Sequence, residues 1–212
     1  MLKHNLPELL ADRFLQPLPN PAAGSRYEPQ PPLDRDDEEP PPDAKSAAVL
    51  VLLYLHEDRW HLPLTLRPAH LPFHAGQVSL PGGALNPNET SADAAIREFH
   101  EELGAAGHPI RLLGRLSPVY VRASNFRVEP WVAATESRPE MTPNPAEVEA
   151  LLEVPLEHLL DPANFGYHER NRGGEKYQAP HFWFAPHRIW GATCRILGEL
   201  VTIWEQLPSG VL

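Results

Sequence analysis

Cysteine is almost absent from this 212-residue chain, in which Cys194 is the single cysteine. One thiol excludes an intramolecular disulfide and any zinc site built from several cysteines. Long apolar runs are also missing, since no stretch approaches the ~18 residues that a membrane-spanning helix needs. The first residues, MLKHNLPELLADRF, contain acids and no long apolar core, unlike a signal peptide. We therefore expect a cytoplasmic protein with no membrane partner.

Basic residues are scarce, because 18 lysines and arginines face 28 aspartates and glutamates, for a formal net charge of −10. Phosphate backbones select basic protein faces, so this balance argues against a general nucleic-acid-binding protein. A small anionic substrate remains compatible with the charge if a metal ion mediates its binding.

Proline, in contrast, is abundant: the chain has 26 prolines, many of them in residues 17–43. A segment this rich in prolines and acids buries too little apolar area to offset its ordering entropy. We expect residues 1–45 to form a Pro-rich N-terminal arm that wraps over the domain or a partner subunit. A short amphipathic helix over residues 3–16 fits the spacing of its leucines and Phe14. Residues 46–212 then form one domain.

Apolar runs and alternating patterns predict the core of this domain. Strands are expected over residues 47–55, 61–67, 110–116, 126–134, 150–154 and 177–185. Helices are expected over residues 91–103, 155–161 and 191–207. Thr90 or Ser91 is the expected N-cap of the first of these helices, and Gly104 its left-handed stop. Strands interleaved with helices in this way predict an α/β fold with a mixed sheet between helices.

The segment PGGALNPNETSADAAIREFHEELGAAG, residues 81–107, carries an unusual cluster of acids. On the predicted helix, apolar residues including Phe99 fall on one side, while Glu98, Glu101 and Glu102 cluster on another. Like charges at i,i+4 cost roughly 0.2–0.5 kcal/mol, so the cluster needs a reason. One alternative is a solvated acidic face beside Arg97. The other is a cation site, since Mg²⁺ and Mn²⁺ prefer oxygen ligands.

The spacing favours the second alternative. Five residues separate Gly83 from Glu89, and seven separate Glu89 from the Arg97-Glu98 pair, which Glu101-Glu102 and Gly104 follow. This pattern, G-x5-E-x7-R-E-U-x-E-E-x-G-U with U apolar, resembles the Nudix box of the Nudix hydrolases. The resemblance implies an α/β/α sandwich in which the box forms a loop, a helix and a loop beside a mixed sheet.

The resemblance also implies roles for these residues. Glu98, Glu101 and Glu102 would hold Mg²⁺ or Mn²⁺ together with the main-chain carbonyl of Gly83, and we expect Glu101 and Glu102 to be exposed. A bound divalent ion neutralises phosphate oxygens and acidifies water. Enzymes of this family thereby hydrolyse diphosphates linked to another group.

Three further acids and one arginine complete the expected catalytic group. Arg97 would orient the glutamates by salt bridges, and Glu89 would be accessory. In the family the general base often lies outside the box. Glu147 is the first candidate here, Glu149 is the second, and Glu98 is the alternative within the box. Glu147 and Glu149 could equally be loop acids that precede a strand.

Upstream of the box, LTLRPAHLPFHAGQVSLPGG at residues 64–83 is similar to the signature of the coenzyme A pyrophosphatase branch. That resemblance implies hydrolysis of coenzyme A or its acyl derivatives to 3′,5′-ADP and 4′-phosphopantetheine. The substrate contacts expected on this basis are Arg67, His74, Gln77 and Arg122. Pro68 and Pro72 depart from the branch, which has serine and arginine at these places, so one phosphate contact is missing.

Several alternatives remain open from the sequence. Arg67, His74 and Gln77 could instead hold the loop in place. The substrate could be another nucleoside diphosphate derivative, such as an ADP-sugar, a dinucleotide or a nucleoside triphosphate, and a non-catalytic nucleotide sensor is a further alternative. The aromatic run HFWFAPHRIW, residues 181–190, could stack on adenine or belong to the core. The branch resemblance is also compatible with a homodimer.

Overall fold

The computed structural model describes residues 5–19, 25–32, 40–71, 73–105 and 107–207. Parts of the predicted N-terminal arm and the departure at Pro72 lie outside these ranges. The helices are α1 (Leu6–Phe14), α2 (Ser91–Leu103), α3 (Leu156–Leu160) and α4 (Ala192–Trp204). The strands are β1 (Lys45–His56), β2 (Arg59–Leu66), β3 (Val78–Ser79), β4 (Gly82–Ala84), β5 (Arg111–Arg115), β6 (Val119–Val121), β7 (Phe126–Thr135), β8 (Ala150–Pro155), β9 (Phe165–Arg172), β10 (Glu175–Phe184) and β11 (His187–Trp190).

Within the described ranges, eight strands form a mixed sheet with β1 at its centre. Strand β1 runs parallel to β7 and antiparallel to β2 and β4. The order is β3-β2-β1-β7-β5, with β8 also paired to β2 and β6 to β7. The mixed sheet predicted from the alternation of strands and helices is therefore confirmed.

Strand β1 separates two apolar cores because its successive side chains point to opposite faces. Leu50 and Leu52 pack with Phe99 of α2 on one face. Val51 and Leu53 belong to the other core, which also contains side chains of α1, α3 and α4. Helices thus cover both faces of the sheet, as the predicted α/β/α layering requires. Among the described residues, no helix is long and apolar enough to cross a membrane.

A second, three-stranded antiparallel sheet, with the order β11-β10-β9, lies apart from the first. Its apolar face, with Phe182 and Ile189, is fully buried in the larger core. The sequence predicted β10 but neither β9 nor β11. Strand β9 reads FGYHERNR and is largely exposed, so it lacks the apolar alternation from which strands are predicted.

The described parts of the N-terminal arm pack against the rest of the chain. Leu6 and Leu10 of α1 are fully buried, and Tyr27 is 6% exposed. Further along, the backbone N–H groups of Gln30 and Gln178 each donate to the other residue's carbonyl oxygen, at 3.0 and 2.8 Å. This segment therefore wraps over the domain itself. The division into residues 1–45 and 46–212, and a homodimer, stay predictions.

Candidate active site

Helix α2 carries the acidic cluster and begins and ends where the sequence predicts. Thr90 is the N-cap, and its side-chain oxygen accepts a hydrogen bond from the Asp93 N–H at 3.2 Å. Gly104 ends the helix in the left-handed conformation, at φ 68°. Phe99 is fully buried against β1, so the apolar stripe fixes which way the glutamates of the opposite side point.

Arg97 forms ion pairs with three carboxylates, as predicted. Its Nε and Nη2 donate to the two oxygens of Glu89 at 2.7 and 2.9 Å. Its Nη1 donates to Glu98 Oε1 at 2.7 Å and to Glu101 Oε2 at 2.9 Å. The Arg97 guanidinium, helped by the Asn86 N–H, lowers the pKa of Glu89 to about 2. The arginine therefore keeps Glu89 ionised and holds all three carboxylates in place.

Glu102 differs from the expectation of an exposed carboxylate, because this residue is only 4% exposed. Its Oε1 accepts one long hydrogen bond, at 3.4 Å, from the Gly82 N–H. Burial raises the pKa of Glu102 to about 8, the Gly82 N–H and Arg67 oppose that shift, and the charges of Glu147 and Glu98 add to it. The prediction of exposure was wrong here, because the segment at Gly82 before the helix lies against this side chain.

The loop at residues 142–149 brings the predicted general base to the same place. The Asn144 N–H donates to the Glu102 carbonyl oxygen at 2.7 Å, and the Glu149 N–H donates to the Leu66 carbonyl oxygen at 2.8 Å. Glu147, between them, is exposed and close enough for its charge to act on Glu102. The loop thus links the end of β2 to α2.

Glu101, unlike Glu102, lies at the surface. Its side chain is 56% exposed and lines a shallow depression with Asp93, Ile96, Arg97 and His100. The three predicted ligands therefore do not converge in this arrangement. Among the described residues, no three His, Cys, Asp or Glu side chains are placed so as to hold a metal ion.

The residues present nevertheless fit a divalent cation. Glu102 is a buried carboxylate with a single weak hydrogen bond, and two further carboxylates act on it. A cation bound beside Glu102 would offset this repulsion, and oxygen donors suit Mg²⁺ or Mn²⁺. Arg97 engages one carboxylate oxygen of Glu98 and one of Glu101, so the second oxygen of each is not bonded to this arginine.

Gly82 and Gly83 bring the backbone close to these acids. A Cβ added at Gly83 would lie 2.5 Å from the carboxylate carbon of Glu98, so a side chain is excluded while Glu98 keeps its place. Gly83 thus lies beside Glu98, as the predicted use of its carbonyl oxygen requires.

The upstream loop is closed by its own hydrogen bonds. The Arg67 N–H donates to the Gln77 carbonyl oxygen, and the Gly76 N–H donates to the Arg67 carbonyl oxygen, both at 3.0 Å. His74 lies 3.1 Å from the side-chain oxygen of Gln77 and 3.3 Å from Ser124 Oγ through its two ring nitrogens. These side chains hold the loop, as the alternative interpretation expected.

A cavity of about 590 Å³ lies between the two sheets and reaches Gly82 and Gly83. All four predicted substrate contacts line it: Arg67, His74, Gln77 and Arg122. Three further arginines also line it, namely Arg170, Arg172 and Arg195. The sequence analysis did not name these three. Arg170 and Arg172 lie on the unpredicted β9, where the only signal was the basic character of ER and NR, and Arg195 lies on the predicted last helix. An acidic protein thus has a cavity rich in cations.

The comparisons with known proteins agree with this geometry. The NUDIX domain family matches residues 44–172. Uncharacterized Nudix hydrolase NudL of Photorhabdus laumondii is 34% identical over 166 residues, which are 76% of this chain and 88% of that protein. Mitochondrial coenzyme A diphosphatase NUDT8 of Homo sapiens is 39% identical over 156 residues, 71% of this chain and 66% of that protein.

A solved structure, the MutT protein of Methanosarcina mazei Go1, has a TM-score of 0.49 and 18% identity, and covers 76% of this chain and 95% of that one. The family match spans the mixed sheet, α2 and its carboxylates, and the resemblance seen in the sequence is confirmed. The chain belongs to the Nudix hydrolase family, whose members act on small nucleotide derivatives and generally use divalent metal cations.

Proposed function

We propose that this protein hydrolyses the diphosphate of coenzyme A or its acyl derivatives to 3′,5′-ADP and 4′-phosphopantetheine, in the cytoplasm and with Mg²⁺ or Mn²⁺. The observation that carries the proposal is the cavity that places arginines beside the Gly82–Gly83 loop and the carboxylate helix. The 39% identity to a protein named as a coenzyme A diphosphatase supports this substrate.

The cavity suits an elongated substrate with several phosphates. Arg67 and Arg122 supply positive charge close to the loop that covers the carboxylates. The Arg67 guanidinium also acts on Glu102, whose pKa it lowers against the effect of burial. Arg67 therefore lies close enough to the carboxylates to hold a phosphate of the cleaved diphosphate next to them.

In the proposed reaction each of these side chains has its own role. Glu147, with Glu98 as the alternative, accepts a proton from the attacking water. The water oxygen bonds to one phosphorus while the bond from that phosphorus to the bridging oxygen breaks. Arg67 and Arg122 hold the phosphate oxygens, and Arg97 keeps the glutamates oriented.

A divalent ion held by Glu98, Glu101, Glu102 and the Gly83 carbonyl oxygen would neutralise phosphate charge and acidify water when bound. Arg97 must then share its carboxylate partners with the ion. Arg97 also makes a two-pronged contact with Glu89, which holds the guanidinium beside the glutamates.

The test is incubation of the full chain with Mn²⁺ and a mixture of coenzyme A, acetyl-coenzyme A, ADP-ribose and dinucleotides, with products read by mass spectrometry. We expect 3′,5′-ADP together with 4′-phosphopantetheine or its acyl form. Loss of ADP-ribose or a dinucleotide alone would instead assign another nucleoside diphosphate substrate.

Glu147→Gln tests the assignment of the base, with Glu140→Gln, at another exposed glutamate of the segment between β7 and β8, as the control. We expect kcat to fall at least about 100-fold for Glu147→Gln and to stay within about twofold for Glu140→Gln. An unchanged kcat for Glu147→Gln would pass the role to Glu98. Tight nucleotide binding without any product would instead favour a sensor.

A further inference from the structure

The second sheet forms one wall of the cavity, and the side chain of Arg170 on β9 lines this wall. The guanidinium carbon of Arg170 lies 4.3 Å from the centre of the Trp190 ring on β11. Both residues line the cavity. Stacking on the indole fixes the plane of the guanidinium while its N–H groups keep their hydrogen-bonding capacity.

Arg170 has no acidic partner among the residues that the structure describes. Lys176, an exposed cation of the same sheet, in contrast pairs with Glu169 at 2.8 Å. Within the cavity, Arg195 pairs with Glu28 at 2.8 Å. An unpaired arginine that is oriented by stacking and points along a cavity wall is suited to an anion supplied by a ligand.

Arg170 and the Gly82–Gly83 segment belong to different walls of the cavity. Gly82 and Gly83 lie on β4 of the mixed sheet, whereas Arg170 lies on the second sheet. An anion bound by Arg170 is therefore a different group from the one cleaved beside the glutamates. Tyr177 and Trp190 provide apolar surface on the same wall, which suits the body of a nucleoside.

We propose that Arg170, held against Trp190, binds a phosphate monoester of the substrate that is separate from the cleaved diphosphate. The inference rests on the proposed function, because coenzyme A carries such a group on its ribose. It also accounts for the departure at Pro72, where the coenzyme A branch has an arginine: Arg170 supplies a cation from another element. Arg170 is then a specificity-determining residue.

The first test compares kcat/KM for coenzyme A and 3′-dephospho-coenzyme A. The wild type is expected to prefer coenzyme A by about ten- to a hundredfold, the range for a hydrogen bond to a charged group. In Arg170→Ala this preference falls to within about twofold through KM, while turnover of the dephospho substrate is unchanged. Arg170→Lys keeps the charge without the planar fork and is expected to be intermediate.

Arg188→Ala is the matched control. Arg188 lies on β11 and also stacks on a tryptophan, Trp183, at 5.4 Å from the ring centre, but it does not line the cavity. This variant is expected to keep the wild-type preference. An equal fall for both substrates in Arg170→Ala, or an unchanged preference, would overturn the proposal.

Calorimetric titration separates this proposal from the proposed function. Adenosine 3′,5′-diphosphate is expected to bind the wild type about tenfold or more tightly than 5′-AMP, and Arg170→Ala removes the difference. If the wild type cleaves neither coenzyme A nor its dephospho form, the proposed function fails, yet this difference still decides the anion site. Equal binding of the two nucleotides by the wild type would refute the site.

Discussion

Gly82 and Gly83 are neighbours before the carboxylate helix, yet an added methyl group would meet different atoms at each. At Gly82, where φ is 155°, the new Cβ would lie 2.3 Å from the backbone oxygen of Ala48. At Gly83 it would meet the carboxylate of Glu98 instead. The backbone of a central strand cannot move easily, whereas the end of a glutamate side chain can. The absence of a side chain at Gly82 therefore serves the stability of the fold, and its absence at Gly83 serves the position of Glu98.

We predict that Gly83→Ala displaces Glu98 and lowers kcat at least about tenfold, with a loss of less than about 1 kcal/mol in the free energy of unfolding. Gly82→Ala should lose more than about 2 kcal/mol, because both the φ angle and the contact are unfavourable. Urea unfolding and steady-state kinetics check both. Gly166→Ala, where the nearest atom would lie at an ordinary 3.5 Å, is the control. Equal free energies of unfolding for Gly82→Ala and Gly83→Ala would contradict these separate roles.

Glu102 and Glu101 make a second contrast at this scale, since one is buried and the other exposed. Glu102→Gln keeps the shape and an acceptor for the Gly82 N–H, so we expect the free energy of unfolding without metal to stay within about 1 kcal/mol. Turnover should be lost, and Mn²⁺, which we expect to raise the melting temperature of the wild type, should no longer raise that of the variant. Glu175→Gln, on the exposed start of β10, is the control. A retained Mn²⁺ shift in Glu102→Gln would remove this residue from the metal site.

At the scale of the element, the sequence predicted those parts of the fold whose pattern is local. The bounds of α2 follow from its apolar stripe, Thr90 and Gly104, and β1 follows from a continuous apolar run. Strand β9 could not be predicted, because its register with β10 and not its own composition makes it a strand. Arg170 was missed for the same reason. A side chain brought to the cavity by such a strand is visible only after the fold is known.

Strand β8 shows how one ion pair links an element to its surroundings. Glu153 accepts two hydrogen bonds from Arg138, both at 2.7 Å, and one from the Tyr54 hydroxyl. Arg138 is the main cause that lowers the pKa of Glu153 below its ordinary value of 4.5, and burial opposes it. The loop before β8 and the central strand β1 are thus connected through one carboxylate.

The lowered pKa fixes the sign of a pH dependence. The ionised Glu153 stabilises the folded chain above the unfolded pKa of 4.5, and this stabilisation is lost as the pH falls through the lower folded pKa. Arg138→Ala should therefore cost about 0.5–1 kcal/mol at pH 7, and the difference from the wild type should shrink toward about pH 3. Urea unfolding at both pH values measures it. Arg59→Ala, which breaks an exposed contact of 3.8 Å with Glu157, should change stability less at either pH.

At the scale of the whole molecule, the described residues of the N-terminal arm contribute to the core. The Tyr27 ring packs edge-on against Phe165 at 5.3 Å and stacks with Phe182 at 5.8 Å. It also lies directly on Gly198 of α4, where an added Cβ would come within 2.2 Å of the ring. Arg195 and Glu28 pair beside it, so the same contact places an acid of the arm in the cavity wall. The arm therefore joins the second sheet, α4 and the cavity.

The contact between the Tyr27 ring and Gly198 can be tested by a double-mutant cycle. Tyr27→Ala should cost roughly 3 kcal/mol, because a buried aromatic ring is lost. Gly198→Ala in the wild type should destabilise by about 1–3 kcal/mol, since the methyl group and the ring cannot share the space. In the Tyr27→Ala background the same change should stabilise by about 0.5–1 kcal/mol, because alanine favours a helix and the space is empty. The sign of the Gly198→Ala effect thus depends on a residue 171 positions away in the sequence, and urea unfolding of the four proteins measures it. Stabilisation by Gly198→Ala in both backgrounds would mean that in solution the arm does not lie on α4.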